Sequence, residues 1–154
     1  MSLQVVLYQP EIPQNTGNIA RTCAASGTGL HLIHPLGFSL AEKHLKRAGL
    51  DYWQQVNIYE HASWAAFQAA YPGASCYYLS TKARRLYTEV EYRDGDMLVF
   101  GPETRGLPQD ILAAAGARAL RVPMRPGLRS LNLANTVALV LYEALRQLGF
   151  PGMQ

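Results

Sequence analysis

The sequence predicts an α/β domain in which a parallel sheet is covered by helices on both faces. Short, continuous apolar segments alternate with segments of helical periodicity, and strands of that kind are typical of a parallel sheet buried on both sides. A length of 154 residues fits one compact domain, and the 49% hydrophobic content supports a core of that size. The composition excludes intrinsic disorder, collagen and coiled coil. We therefore expect one domain over residues 1–154.

The elements follow from the spacing of apolar residues along the chain. The predicted strands are 3–8, 30–34, 56–59, 75–79, 97–100 and 119–122. The predicted helices are 15–26, 40–47, 63–71, 108–115 and 131–148. Ser130 is placed to cap the last helix, while Gly149 and Pro151 end it in the order typical of helix C-termini.

The last predicted helix is apolar around most of its circumference. The residues concerned are Leu133, Val137, Val140, Leu141, Ala144, Leu145 and Leu148. We interpret this helix as buried on two sides, either because the fold wraps over it or because a second subunit packs against it. The second interpretation predicts a homodimer formed through the C-terminal helix.

Charge points weakly to an anionic partner. Lys and Arg total 14 against 11 acidic residues, which gives a net charge of +3. The basic residues that fall in or beside predicted loops are Lys82, Arg84, Arg85, Arg105, Arg121, Arg125 and Arg129. Such loops suit a phosphate-rich ligand, although scattered arginines that merely solvate a surface give the same pattern.

The remaining composition bears on the compartment and on metals. No long apolar run and no charged leader is present, and Cys23 and Cys76 lie in apolar contexts typical of buried thiols. We therefore expect a cytoplasmic protein without a membrane span. His31 and His34 lack partners at metal-ligand spacing, so we expect no metal site and interpret both as packing or surface residues.

The first unusual loop leads from the first strand into the first helix and contains Asn15, Gly17 and Arg21. Gly17 and Arg21, four residues apart, lie together on a side of that helix away from its apolar stripe. Arg21 is therefore directed at something other than the core. The alternative is structural: Asn15 caps the helix, Gly17 permits close packing and Arg21 is a solvated charge.

Two further loops carry residues that a plain turn does not need. Residues 100–108 follow a buried strand and combine Gly101, Glu103, Arg105 and Gly106, at the sheet edge where ligands bind in parallel α/β proteins. Residues 122–135 place Ser130, Asn132 and Asn135 at the start of the last helix, whose free N–H groups suit an anion. A tight turn and a capped helix are the structural alternatives.

Together the three loops resemble the motifs of the SPOUT superfamily of RNA methyltransferases. The matching patterns are Asn15-x-Gly17-x-x-x-Arg21, Phe100-Gly101-x-Glu103-x-x-Gly106 and Ser130-Leu131-Asn132-x-x-Asn135. The stretches 7–13, 47–52 and 142–149 are similar to the branch of the superfamily that methylates the 2'-hydroxyl of the tRNA wobble cytidine or uridine.

This resemblance implies a C-terminal trefoil knot over roughly residues 79–150, an obligate homodimer and S-adenosyl-L-methionine as cofactor. By the same resemblance the cofactor touches Leu79, Gly101, Val122 and Ser130, largely through their backbone atoms. The substrate it implies is tRNA, with leucine tRNAs expected, and Arg84, Arg85, Arg105, Arg125 and Arg129 are its candidate phosphate contacts. We expect the three loops to converge on one pocket that Arg21, Gly101 and Ser130 share.

The resemblance also assigns catalytic roles. It makes Arg21 the base, but a guanidinium stays protonated in proteins, so we expect Arg21 to stabilise the developing alkoxide while an RNA phosphate or water takes the proton. Asn15 and Asn132 would orient the ribose or the cofactor, and Glu103 would hold its loop.

Other interpretations remain open. The chain is alternatively a 2'-O-methyltransferase for another tRNA or rRNA position, or a non-catalytic RNA-binding homodimer of the same fold. A nicotinamide-dependent oxidoreductase is disfavoured, because Gly27-Thr28-Gly29 lacks a third glycine at the required spacing and follows a helix.

Overall fold

The chain forms a parallel sheet with helices on both faces, as the sequence predicts. The computed structural model describes residues 2–41, 43–49 and 52–154. Leu50 and Asp51, from one of the stretches that carry the resemblance, lie outside the described residues. In the described ranges the strands are β1 (Gln4–Tyr8), β2 (Gly29–Ile33), β3 (Ile58–His61), β4 (Cys76–Leu79), β5 (Arg85–Leu86), β6 (Met97–Phe100) and β7 (Ala119–Arg121).

The order across the sheet is β3-β2-β1-β6-β4-β7-β5, and every pairing is parallel. Phe100 at the end of β6 lies opposite Leu7 of β1 and Leu79 of β4. The carboxyl ends of these three central strands therefore meet at one edge, where the loops that follow them are brought together.

Five helices cover the sheet in the described ranges. They are α1 (Pro13–Ser26), α2 (Lys43–Gly49), α3 (Trp64–Ala70), α4 (Gln109–Ala115) and α5 (Leu133–Gln147). Side chains alternate along β1, so Val5 joins a core with residues of α1 and α5, while Val6 joins a second core with Phe67 of α3. No helix in the described ranges is long and apolar enough to cross a membrane.

The helix caps considered at Asn15 and Ser130 both need correction. The first helix begins at Pro13, where the ring presets the backbone for the first helical position, so Asn15 lies inside the helix and does not cap it. The last helix begins at Leu133, and its cap is Asn132, whose side chain accepts a hydrogen bond from the Asn135 N–H. Ser130 therefore lies in the loop before the cap.

The interpretation of α5 as buried on two sides is also wrong for the residues on which it was based. Val137, Val140, Leu141, Ala144 and Leu145 are all buried within the chain, and Leu133 and Leu148 pack against the same core. Their spacing of three and four residues puts them on one face. The large apolar side chains that α5 does leave exposed are Leu139 and Tyr142.

One strand was not predicted. β5 has two residues, too few for a periodicity, and it pairs with β7 at the edge of the sheet. β7 lies between β4 and β5, although both precede it in sequence. The connection from β4 to β5 passes the carboxyl end of β7, where the Ser80 N–H donates to the Leu120 carbonyl over 2.8 Å.

The structure confirms the buried thiols expected at Cys23 and Cys76. Cys23 and Cys76 are free, buried thiols, and burial raises both thiol pKa values. Tyr77 packs edge-on against Tyr92, and Trp64 stacks on Phe67. Gly27 ends α1 in the left-handed conformation, as expected of a helix terminus.

Candidate active site

A cavity of about 620 Å³ opens at the carboxyl edge of the sheet. Loops from all three predicted motifs line it. The predicted site residues among its lining are Asn15, Leu79, Gly101, Glu103, Arg105, Val122, Arg129, Ser130 and Asn132. The four residues proposed to touch the cofactor thus share one cavity, and its volume lies within the range of about 300–1,000 Å³ typical of small-molecule sites.

Gly101 allows the loop after β6 to fold back on itself. A Cβ atom at this position would lie 2.3 Å from the Leu107 nitrogen and 2.4 Å from the Gly106 carbonyl carbon. The fold-back is closed by a hydrogen bond of 2.9 Å from the Gly106 N–H to the Pro102 carbonyl, with Gly106 at a φ of +69°. Only glycine at position 101 fits this turn, which forms one wall of the cavity.

Glu103 joins the second loop to the first. Its carboxylate accepts hydrogen bonds from the Glu11 N–H at 2.9 Å and the Ile12 N–H at 2.8 Å. It also accepts one from the Asn15 side-chain amide at 3.2 Å. A carboxylate at this helix start satisfies N–H groups that have no partner within the helix. These hydrogen bonds connect the loop after β6 to the start of α1.

Glu11 makes the reciprocal connection, and sequence reasoning missed it. Its carboxylate accepts from the Thr104 N–H at 3.0 Å and from the Thr104 hydroxyl at 2.7 Å. These hydrogen bonds lower the pKa of Glu11. The signal was present in the sequence, since Glu11 belongs to the 7–13 stretch, but nothing local showed that its partner lay beyond residue 100.

Asn15 extends the connection to the third loop. It is buried, and its side-chain oxygen accepts from the Asn132 side-chain amide at 3.1 Å. We call Glu11, Asn15, Glu103, Thr104 and Asn132 the loop network. Because both ends of the Asn15 amide and two atoms of Asn132 are bonded within the protein, these asparagines hold the three loops together.

Arg21 does not lie where the sequence predicted. It is exposed on α1 and is not among the residues that line the cavity. The expectation that Arg21, Gly101 and Ser130 share one pocket within a single chain is therefore wrong for Arg21. Its guanidinium carbon lies 4.7 Å from the centre of the Tyr52 ring.

Basic side chains extend from the cavity along the sheet edge. A second cavity of about 390 Å³ is lined by Lys82, Arg84 and Arg85, and no acidic residue among those that the structure describes lines it. Ser80 and Lys82 line both cavities, so the two adjoin. The Arg85 guanidinium donates to the Ala117 carbonyl at 3.1 Å, and Arg125 is exposed outside both cavities.

A buried group of ionisable residues lies elsewhere. The His31 ring is hydrogen-bonded to His61 at 3.0 Å and to the Gln4 side chain at 2.8 Å; we call these three residues the histidine cluster. Burial and the neighbouring His61 lower the pKa of His31 to about 4. The cluster lines neither cavity, and aromatic rings of Tyr59, Phe67 and Tyr71 surround it, so it packs as predicted for His31.

Comparison with known proteins identifies the family of this chain. A family model described as the SpoU rRNA methylase family matches residues 2–142. The chain belongs to the SpoU rRNA methylase family. This membership confirms the resemblance that the three loops carry in the sequence.

Close relatives of this SpoU methylase are similar along their whole length. The tRNA (cytidine(34)-2'-O)-methyltransferase of Escherichia coli K12 is 51% identical, over 97% of this chain and 96% of its own. A solved structure described as "Structural insights into the 2-OH methylation of C/U34 on tRNA" is 53% identical with a TM-score of 0.92, covering 96% of this chain and 97% of that one.

A more distant structure bears on the cofactor. The AdoMet-bound rRNA methyltransferase of Sinorhizobium meliloti has a TM-score of 0.85 at 27% identity, covering 96% of this SpoU methylase and 57% of that chain. The SpoU fold of the present chain therefore occurs with the methyl donor bound.

Proposed function

We propose that this SpoU methylase transfers a methyl group from S-adenosylmethionine to the ribose 2'-hydroxyl of nucleotide 34 of tRNA. The observation that carries the proposal is the single cavity in which all three motif loops meet. The full-length similarity to enzymes named for that reaction supports the position. The expected substrates are cytidine or modified uridine at the wobble position of leucine tRNAs, and the expected compartment is the cytoplasm.

The residues present fit the cofactor. Leu79, Gly101, Val122 and Ser130 line a cavity of suitable volume, and the glycine at position 101 permits the tight turn that forms one wall of it. We propose that these four residues hold S-adenosylmethionine. When bound, it supplies a methyl group that the sulfonium has already activated.

The remaining requirement is to place the ribose oxygen and remove its proton. We propose that Arg21 stabilises the negative charge that develops on the 2'-oxygen, and that an RNA phosphate or a water accepts the proton. Asn15 and Asn132 orient the site by holding its loops, and Glu103 anchors them.

The positions of Arg21 and of the exposed apolar residues support a homodimer. Leu139 is 43% exposed and Tyr142 37%, on a helix that packs beside α1. We propose that this α5 surface binds a second copy. Because Arg21 lies outside the cavity of its own chain, we propose that it serves the cavity of the other protomer.

The proposal also includes a trefoil knot and a surface that binds RNA. β7 lies between β4 and β5, which both precede it in sequence, and this strand order supports our proposal of a trefoil knot over roughly residues 79–150. Lys82 joins the two adjoining cavities, so an RNA strand that enters the first can continue past Arg84 and Arg85. Arg105, Arg125 and Arg129 are the other proposed phosphate contacts.

The test combines the purified protein, S-adenosylmethionine and unmodified tRNA transcripts, followed by mass analysis of nucleosides and of oligonucleotides that contain position 34. We expect one ribose methyl at that nucleotide. Methylation at another tRNA position or of rRNA would replace the wobble assignment. Tight RNA binding without methyl transfer would favour the non-catalytic homodimer. Calorimetry with S-adenosylmethionine and then NADH tests the oxidoreductase alternative.

The Arg21→Lys variant tests the role of Arg21. Because the guanidinium stays protonated at every usable pH, we expect a slower reaction whose profile against pH has the same shape as that of the unaltered protein. Single-turnover rates between pH 6 and 10 measure this. A new titration near the ordinary lysine pKa of about 10.4 would show instead that residue 21 acts as a base.

A further inference from the structure

We infer that Tyr52 is a positioning residue for Arg21, and that its ring fixes the guanidinium without neutralising it. This inference rests on the proposed function of Arg21. It gives a role to Tyr52, which belongs to the 47–52 stretch that resembles the family in sequence; the described residues of that stretch line neither cavity.

The contact itself is specific. The Arg21 guanidinium carbon lies 4.7 Å from the centre of the Tyr52 ring, inside the distance of about 6 Å that marks a cation–π interaction. Within the described part of the chain, Arg21 forms no hydrogen bond or ion pair with another side chain. The aromatic face is therefore its one described side-chain partner.

Tyr52 is held in place by its neighbours in sequence. Its carbonyl accepts a hydrogen bond of 2.9 Å from the Gln55 N–H, which closes the short 3-10 turn Trp53–Gln55. Trp53 packs against the core that contains α1. The turn contacts α1 directly. The ring is thus attached to the body of the domain and is half-buried itself, while Arg21 is exposed.

The choice of an aromatic partner has a chemical consequence. A carboxylate beside Arg21 would fix its orientation but would also cancel the positive charge that the developing alkoxide needs. A ring attracts the cation through its quadrupole and carries no net charge. The ring itself occupies none of the five N–H donors of the guanidinium. Tyr52 therefore lowers the cost of ordering an exposed side chain before the reaction.

The test first removes the ring at position 52 and then varies its electrons at nearly constant shape. In single-turnover methylation of tRNA, we expect Tyr52→Phe to keep the rate within about twofold, since the ring remains. Tyr52→Leu should lower the rate about 5- to 30-fold, because a cation–π contact is lost. If Tyr52→Leu does not fold, fluorinated phenylalanines at position 52 give the same comparison at nearly constant shape, and the rate should fall as fluorine is added.

A double-mutant cycle separates positioning from structure. In an Arg21→Ala background, removal of the ring should change the remaining rate by less than twofold. Tyr59→Leu is the matched control, because Tyr59 is likewise a tyrosine ring stacked on a neighbouring side chain, His31, away from the cavities. It should leave the rate unchanged. Cofactor affinity by calorimetry should be equal in all these variants.

Two results would overturn the inference. The methyl-transfer rate could stay unchanged when the ring is removed or fluorinated, or removal of the ring could still lower the rate in the Arg21→Ala background. The proposed function fails separately, and visibly, if the unaltered protein transfers no methyl group to tRNA in the same assay.

Discussion

The loop network and the histidine cluster are both groups of polar side chains that meet across strands, yet only the first surrounds a cavity. The network joins loops that are more than 80 residues apart in sequence through carboxylate and amide hydrogen bonds. The cluster is enclosed by aromatic rings and contains the histidine whose pKa is lowered to about 4. A search for perturbed ionisable groups would have chosen the cluster, although such groups also arise from packing alone.

This comparison indicates that the site depends on backbone geometry more than on side chains with shifted pKa values. Methyl transfer from an activated donor needs a shaped cavity and one well-placed cation, and it asks little of a titrating histidine. Changes to the network should therefore alter catalysis, whereas changes to the cluster should alter only stability.

The largest effect is expected at the wall of the cavity. In Gly101→Ala the new Cβ would meet backbone atoms of Gly106 and Leu107, so the loop must move. We expect a loss of methyl-transfer rate of about 100-fold, the order of magnitude that follows a displacement of 1 Å in a positioned site. Single-turnover assays and cofactor calorimetry measure it.

Gly106→Ala is the matched control in the same loop. Its Cβ would have open space, and only the φ of +69° is unfavourable. We expect a cost of about 1 kcal/mol in stability and a much smaller loss of rate. Equal losses in the two variants would show that the close approach at Gly101 does not shape the site.

An intermediate effect is expected at the centre of the network. Glu103→Ala leaves two backbone N–H groups and the Asn15 amide without their acceptor. We expect the free energy of unfolding, measured in urea, to fall by about 1–3 kcal/mol. Cofactor affinity should fall about tenfold, because the first and second loops separate. Glu91→Ala, an exposed glutamate outside the network, should change neither quantity. Unchanged affinity in Glu103→Ala would contradict the role of the network.

The smallest functional effect is expected in the cluster. His31→Gln should leave methyl transfer and cofactor affinity at pH 7 within about twofold, because the cluster lines neither cavity. The substitution should instead change how the stability of the protein depends on pH. Since the folded pKa of His31 lies at about 4, below the ordinary value of 6.5, the unfolded chain binds this proton first.

The stability that His31 contributes is therefore present above about pH 6.5 and is lost as the pH falls towards 4. Between pH 6.5 and 4.5, we expect the free energy of unfolding to fall by roughly 2 kcal/mol more in the unaltered protein than in His31→Gln. Urea unfolding at the two pH values measures the difference. Parallel stability curves for the two proteins would remove His31 as the cause.

Much of the fold was predictable because each element carries its own local pattern. β1, β4 and β6 consist almost entirely of apolar residues, and the helices have clear periodicity. β3 contains Glu60 and His61, and its position at Ile58–His61 lies two residues beyond the predicted strand 56–59. β5 was missed since two residues have no period. The cap of α5 was misplaced because Ser130 and Asn132 are both good caps, and only the backbone turn at Asn132 decides between them.

The site was predictable as a set of loops but not as a set of contacts. Gly101, Glu103 and Ser130 were identified by position, and all three line the cavity. Arg21 was misplaced because helical spacing gives the face of a helix and not the distance from that face to a cavity. The Glu11–Thr104 and Arg21–Tyr52 contacts join distant segments, and a single sequence contains no information about such pairs.

The position of β7 between two earlier strands constrains how the domain acquires its shape. The parallel pairings of this sheet join segments far apart in the chain, so they close long loops and form slowly. Val122 and the loop before α5 complete the cavity only after β7 has taken its place. Under the proposed function, binding of the methyl donor should therefore report whether β7 is in place.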